Sequence, residues 1–205
     1  MNSDYPVRFD VDYPDRDLNR LTSAFRIITI IPIAIIAALI GHAAIGAGSG
    51  AQYVAAGGIL VLPTLLMILF RQKYPRWWFD WNLELSRFLA RVGVYGALMN
   101  DEYPATDEQQ TVHLDIDYPD VENDLSQGMP LIKWFLAIPH YIVLAVLGFV
   151  AFFALIGAWF AVVFTGRYPK GIFDFLVGVH RWVLRVDGYA FLLVTDKYPP
   201  FSLEP

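Results

Sequence analysis

Two stretches of this chain carry no charge, and they restrict its folding more than any other feature. From Ile27 to Phe70, 44 residues, there is no Asp, Glu, Lys or Arg, and from Trp134 to Gly166, 33 residues, there is none either. All 15 Lys and Arg and all 20 Asp and Glu lie outside these runs. A charged side chain at a bilayer centre costs roughly 2.5–3.5 kcal/mol on insertion scales, so membrane segments exclude it. Composition points the same way: 56% of the chain is apolar and 17% charged, where soluble domains carry about a quarter charged residues.

One helix over the first run would be about 66 Å long, twice the hydrocarbon thickness. The run is therefore expected to fold back at "GHAAIGAGSGAQ", Gly41 to Gln52, between a helix at Phe25–Ile45 and a second at Tyr53–Phe70. The second run, split near Gly148, gives two short helices with Lys133 and Arg167 snorkelling at the ends. A re-entrant hairpin is the alternative. Each hairpin returns to the side it left, so every Lys and Arg falls on one side. The positive-inside rule makes that side cytoplasmic, with both termini inside.

Short passages recur along the chain. "VRFDVDYPD" begins at Val7 and "VHLDIDYPD" at Val112; "KYPRWWFDW" begins at Lys73 and "RYPKGIFDF" at Arg167. Between them Pro32 and Pro139 occupy matching places, where proline would kink a span. In the first half Asp80, Glu84, Arg87 and Arg91 share a helix face; in the second Asp174, Arg181 and Arg185 do, with Gly178 in place of the glutamate. Strict alternation predicts strands at 7–13 and 112–118, and β-forming runs predict two more at 94–101 and 188–196.

The expected fold is thus a membrane α-helical protein with a small cytoplasmic β-layer, built as a tandem parallel repeat with about four transmembrane or re-entrant helices. Repeat 1 covers 1–104, with a strand at 7–13, a membrane hairpin at 25–70, an interfacial helix at 76–92 and a strand at 94–101. Repeat 2 covers 105–205, with the same elements at 112–118, 131–165, 170–186 and 188–196. Seven Tyr-Pro pairs, at Tyr5, Tyr13, Tyr74, Tyr103, Tyr118, Tyr168 and Tyr198, mark element boundaries.

The two boxes, with "KWFLAIPHYIVL" and "RYPKGIFDF", resemble a family of bacterial membrane proteins known as domain of unknown function 4389, once per half. The second half is the closer match, since "IPIAII" in the first lacks the His-Tyr pair. The resemblance implies a bacterial plasma-membrane setting and no chemistry.

Several constellations invite a functional reading. Asp10 and Asp12 share a strand face, as do Asp115 and Asp117. They suit ion pairing with nearby arginines, an oxygen-ligated metal, or a carboxylate acid–base pair. Arg87, Arg91, Arg181 and Arg185, with Lys73 and Arg167, form juxtamembrane patches suited to anionic lipid headgroups or to internal pairing. His140 lies inside the third span, where an ionisable group is a functional candidate. The chain has no cysteine, which removes disulfides and thiolate sites. Nucleotide, cofactor and hydrolase fingerprints are absent, and a net charge of −5 argues against a nucleic-acid partner.

Three functions follow from these features. The first is a non-enzymatic inner-membrane protein, structural or accessory, associated with lipid and forming a homo-oligomer or part of a larger complex. The second is a small channel or lipid-handling protein with a pore between subunits, lined by Gly41, Ala44 and Gly48. The third is an enzyme using the Asp pairs at the membrane surface.

Overall fold

The structure, a computed structural model, describes residues 5–42, 58–106, 108 and 110–205. Most of the expected turn at Gly41–Gln52, including Ala44 and Gly48, lies outside them.

Two strands, β1 (Val7–Val11) and β2 (Val112–Ile116), pair antiparallel. Their register sets Val7 opposite Ile116, Phe9 opposite Leu114 and Val11 opposite Val112. All six side chains are buried on one face, as the alternation requires. Each strand packs on a long helix from the other half of the chain: β2 on α5 (Arg76–Gly96) and β1 on α9 (Lys170–Ala190). Pro75 and Pro169 stand immediately before these helices and start them. The strands expected at 94–101 and 188–196 are not formed. Helix continues to Gly96 and Ala190, and left-handed Leu98 and Leu193 then turn the chain. Val94, Tyr95, Val186 and Tyr189 are β-formers by propensity, but each is buried on a helix face, and packing prevails.

The apolar segments depart furthest from expectation. Ile138–Thr165 is one continuous 28-residue helix, α8, about 42 Å long, not two short ones. It is the only helix among the described residues long and apolar enough to cross a membrane. Gly148 does not break it: no residue from Tyr141 to Phe164 has a positive φ, and the helix runs on through both Gly148 and Gly157. Pro139 falls in the first turn, where its missing N–H costs nothing, so it starts the helix and does not kink it. Gly166, at φ 79°, ends it. The first run gives α2 (Arg26–Thr29), α3 (Ile31–His42) and α4 (Gly58–Arg71), following a short α1 (Arg20–Ala24). Pro32 likewise stands at the start of its helix. Between β2 and α8 lie α6 (Val121–Asp124), a 3-10 turn (Met129–Leu131) and α7 (Lys133–Leu136). The expected architecture, a tandem repeat with about four transmembrane or re-entrant helices in two hairpins, is therefore overturned: among the described residues one helix has membrane-spanning length.

Both ends of α8 are tied to the rest of the fold, the start to α9 and the tail and the end to the segment that leads from β1 into α1. At its start Ala137 is fully buried, and His140 accepts a hydrogen bond from Trp182 of α9. At its end Leu18 N–H donates to the Gly166 carbonyl at 2.7 Å, Arg20 to the Thr165 carbonyl at 3.1 Å, and Arg167 meets Asp17 at 3.1 Å. Between these ends α9 runs back along the helix, with Ile172 reaching Gly157. Ala158 and Val162 face the rest of the fold. Ile142, Val146, Phe149, Phe152, Phe153, Phe160 and Phe164 face outward, and only 6% of the most apolar 18-residue stretch is buried. A core helix of a soluble protein would be mostly enclosed, so this face needs an apolar partner beyond the described residues.

Candidate functional site

The four long-range arginines do not form a free basic surface. Arg181 donates through Nε to the Phe9 carbonyl at 2.8 Å, through Nη1 to the Leu203 carbonyl at 2.8 Å, and through Nη2 to Asp10 at 3.3 Å. Arg87 makes the same kind of contact with β2, donating to the Leu114 carbonyl at 2.9 Å and to Asp115 at 3.1 Å, and it also bonds Glu84. Asp12 N–H bonds to Thr111 and Asp117 N–H to Pro6 across the sheet. That phase leaves the Phe9 and Leu114 carbonyls on the outer edges of the strand pair. Each arginine therefore caps an edge acceptor at mid-strand, which blunts the sheet against adding another strand. Arg91 donates to the Ala105 carbonyl at 2.7 Å. Arg185 is buried beside the Tyr5 ring and reaches the Ser202 carbonyl at 3.5 Å; burial and the neighbouring Arg181 pull its pKa down. Lys73 and Arg167 are exposed, the latter on Asp17.

All four candidate aspartates contact a basic side chain. Asp10 meets Arg181, Asp115 meets Arg87, Asp117 holds Arg8 in a two-pronged pair at 2.6 and 2.8 Å, and Asp12 meets His113 at 3.0 Å. Among the described residues no group of three or more His, Cys, Asp or Glu is placed to hold a metal.

Two further cations, Lys133 and Arg26, are buried against expectation. Lys133 does not snorkel. Its side chain is fully enclosed, its Nζ donates to the Thr195 carbonyl at 2.7 Å and stands 2.8 Å from Asp196, and the Tyr189 ring lies 5.3 Å away. Burial lowers its pKa against the pull of that carboxylate. Arg26 is held alike, by the Asn100 carbonyl at 2.9 Å, Asp101 at 2.8 Å and the Tyr95 ring at 3.9 Å. Each carboxylate also accepts a backbone N–H at 2.7 Å, Asp101 from Asn19 and Asp196 from Ser126. The signal was present: Arg26 and Lys133 each stand just before an apolar helix, and Asp101 and Asp196 each stand two residues before a Tyr-Pro pair.

His140 is fully buried. Its Nδ1 accepts from Trp182 Nε1 at 3.0 Å, Phe201 stacks on it at 4.0 Å, and Tyr198 lies 4.7 Å away. It is therefore part of the packing that seats the C-terminal tail. His180 stacks on Phe9 at 5.0 Å, and burial pushes its pKa down to about 4. Burial pushes the Asp187 carboxyl up to about 6.

The apolar cavity of interest lies where α2 and the end of α5 meet α8. It holds about 410 Å³ between Ile27, Ile30, Gly96, Leu155, Ile156 and Trp159, with Arg26 at its edge.

Over the described residues these features define a helical protein with a two-stranded sheet and one membrane-length helix laid against a charged body. Within it, residues 130–202, from the 3-10 turn through α7, α8 and α9 into the tail, match the family described as domain of unknown function (DUF4389). The match supports the resemblance over the second half and finds one copy, not two. Neither the curated proteins nor the solved structures yield a match to this chain.

Proposed function

We propose that this protein is a non-enzymatic, membrane-attached scaffold in which α8 lies lengthwise in one face of the bilayer while the charged body rides on that face. The observation that carries the reading is the attachment of α8 to one body at both ends, by Lys133–Asp196 and His140–Trp182 at the start and by Arg20–Thr165 and Arg167–Asp17 at the end. An upright helix would draw α9 into the hydrocarbon beside it, with the exposed carboxylates of Asp10 and Asp12 nearby. Each such charge costs several kcal/mol there. Lying in the plane, α8 turns its phenylalanine face into the acyl region and leaves the charges wet. α3 and α4 add further exposed apolar side chains, Ile31, Ile35, Leu62 and Leu66.

The anionic surface of the cytoplasmic leaflet, facing exposed cations such as Lys73 and Arg167, favours that face of a bacterial plasma membrane. Headgroup contact falls to exposed cations such as Lys73 and Arg167, because Arg181 and Arg185 are spent on the fold. A second copy or a larger membrane complex remains a natural partner for the apolar surface. The non-enzymatic reading rests on what the polar groups do: the Asp pairs and arginines hold strands, helices and tail together.

Single cysteines test the arrangement, since the chain has none of its own. Arg16→Cys sits near the end of α8 and Gln127→Cys near its start. In sealed vesicles both should react with a membrane-impermeant maleimide from the same side, and the protein should stay with the pellet after an alkaline carbonate wash. Labelling from opposite sides, or release by carbonate, would end the proposal.

A further inference from the structure

We propose that the cleft between α2, the end of α5 and α8 holds one acyl chain of a membrane phospholipid, with an oxygen of its glycerol-ester or phosphate region bound to Arg26 and Trp159. The walls are apolar: Ile27 and Ile30 on one side, Leu155 and Ile156 on the other. Gly96 lies in the floor, where a Cβ would stand 2.7 Å from the tip of Ile30. The polar atoms at the cleft are donors. Arg26 is 2% exposed and spends Nη2 on Asn100 and Asp101, but its Nε and Nη1 have no hydrogen-bond partner. Trp159 Nε1 is also buried without one. The lining side chains include no carboxylate, amide or hydroxyl. Buried donors without acceptors are costly, so a fitting ligand brings oxygen acceptors at one end and hydrocarbon at the other. The volume of about 410 Å³ lies within the range of small-ligand sites. A phospholipid is the amphiphile with both parts that a cleft beside α8 would meet, and this choice of occupant rests on the membrane-attached reading above.

The test titrates delipidated full-length protein in dodecyl maltoside with dioleoyl phosphatidylglycerol and reads bound lipid by native mass spectrometry. The wild type should saturate at one tightly bound lipid per protein. Ile156→Trp, which fills the cleft, should weaken binding about tenfold, while Val146→Trp on the outer face of α8 should leave it unchanged. Trp159→Phe keeps the shape and removes one donor, and should weaken binding about fivefold. An ether-linked analogue tells the two oxygen sources apart: weaker binding assigns the ester carbonyl, equal binding the phosphate. Equal binding by Ile156→Trp and Val146→Trp overturns the site, as does a preference for free oleate over the phospholipid. If circular dichroism shows Ile156→Trp to be unfolded, Trp159→Phe decides alone: unchanged affinity overturns the site. Carbonate extraction of the same variants reports attachment separately, so a membrane-bound protein with an empty cleft is distinguished from a protein that never engages the membrane.

Discussion

Lys133 and Asp196 stand 2.8 Å apart with the lysine side chain wholly withdrawn from solvent, and this pair pins the start of α8 to the chain that follows α9. Removing the carboxylate leaves a buried ammonium with the Thr195 carbonyl and the Tyr189 ring as its remaining partners. Asp196→Asn should therefore cost about 3–5 kcal/mol, the cost of breaking a buried pair. Lys133→Met in the same background should recover much of the loss. Denaturant unfolding in detergent measures both, and equal stability of Asp196→Asn and wild type would refute the pair's role.

The edge caps make a second, asymmetric expectation. Arg181→Ala strips a donor from two carbonyls, Phe9 and Leu203, as well as from Asp10. Each buried acceptor left unpaired costs about 1–3 kcal/mol. Asp10→Asn removes only a half-exposed ion pair, worth under about 1 kcal/mol. Thermal unfolding should rank Arg181→Ala far below Asp10→Asn. If the two variants melt together, the carboxylate and not the strand edge is the important contact.

The acid response should come from two half-buried groups that oppose each other. His180, pushed down to about 4, binds fewer protons folded than unfolded between that value and 6.5, so its contribution to stability grows as pH rises through that window. Asp187, pushed up to about 6, binds more protons folded than unfolded above 3.8, so its contribution shrinks as pH rises from 3.8 to 6. In the overlap, from about 4 to about 6, the slopes cancel. Relative to wild type, His180→Gln should lose stability as pH rises through this interval, and Asp187→Asn should lose it as pH falls. Melting curves from pH 4 to 7 check this; parallel profiles for all three proteins would contradict it.

Much of this fold was legible in the sequence where one residue pattern had one physical outcome. Alternation in "VRFDV" and "VHLDI" gave both strands and their buried faces, and the Arg87 and Arg181 faces gave two helices at nearly the right bounds. The failures came where a local signal had two outcomes. A long apolar run bounds how much chain leaves water but not whether it folds back, and Gly148 at its centre reads equally as a bend or as one more helical residue, which it is. Charge near a membrane segment reads as a headgroup contact whether it faces out, as Lys73 does, or is fully enclosed, as Lys133 is. The acyl cleft could not be read at all, because Ile30, Gly96 and Ile156 meet only through tertiary packing.

Gly178 offers the sharpest single-residue test of the tail. A Cβ at this position would lie 2.8 Å from Leu203 Cβ and 3.0 Å from the Leu203 carbonyl oxygen, and that backbone atom cannot swing aside as a side-chain end could. Gly178→Ala gains helix propensity of up to about 1 kcal/mol but must push the tail outward, an overpacking cost of about 1–3 kcal/mol. The displaced segment is the one whose Leu203 carbonyl accepts from Arg181 and whose Phe201 stacks on His140. His140, fully buried in the native protein, should then become reachable. Diethyl pyrocarbonate followed by peptide mass mapping should modify His140 faster in Gly178→Ala than in wild type, with the reaction of exposed His113 serving as the internal reference. Truncation after Pro200 should give the same exposure without touching α9. If truncation exposes His140 and Gly178→Ala does not, the tail has accommodated the methyl group, and the close approach of α9 to Leu203 is not what makes glycine necessary.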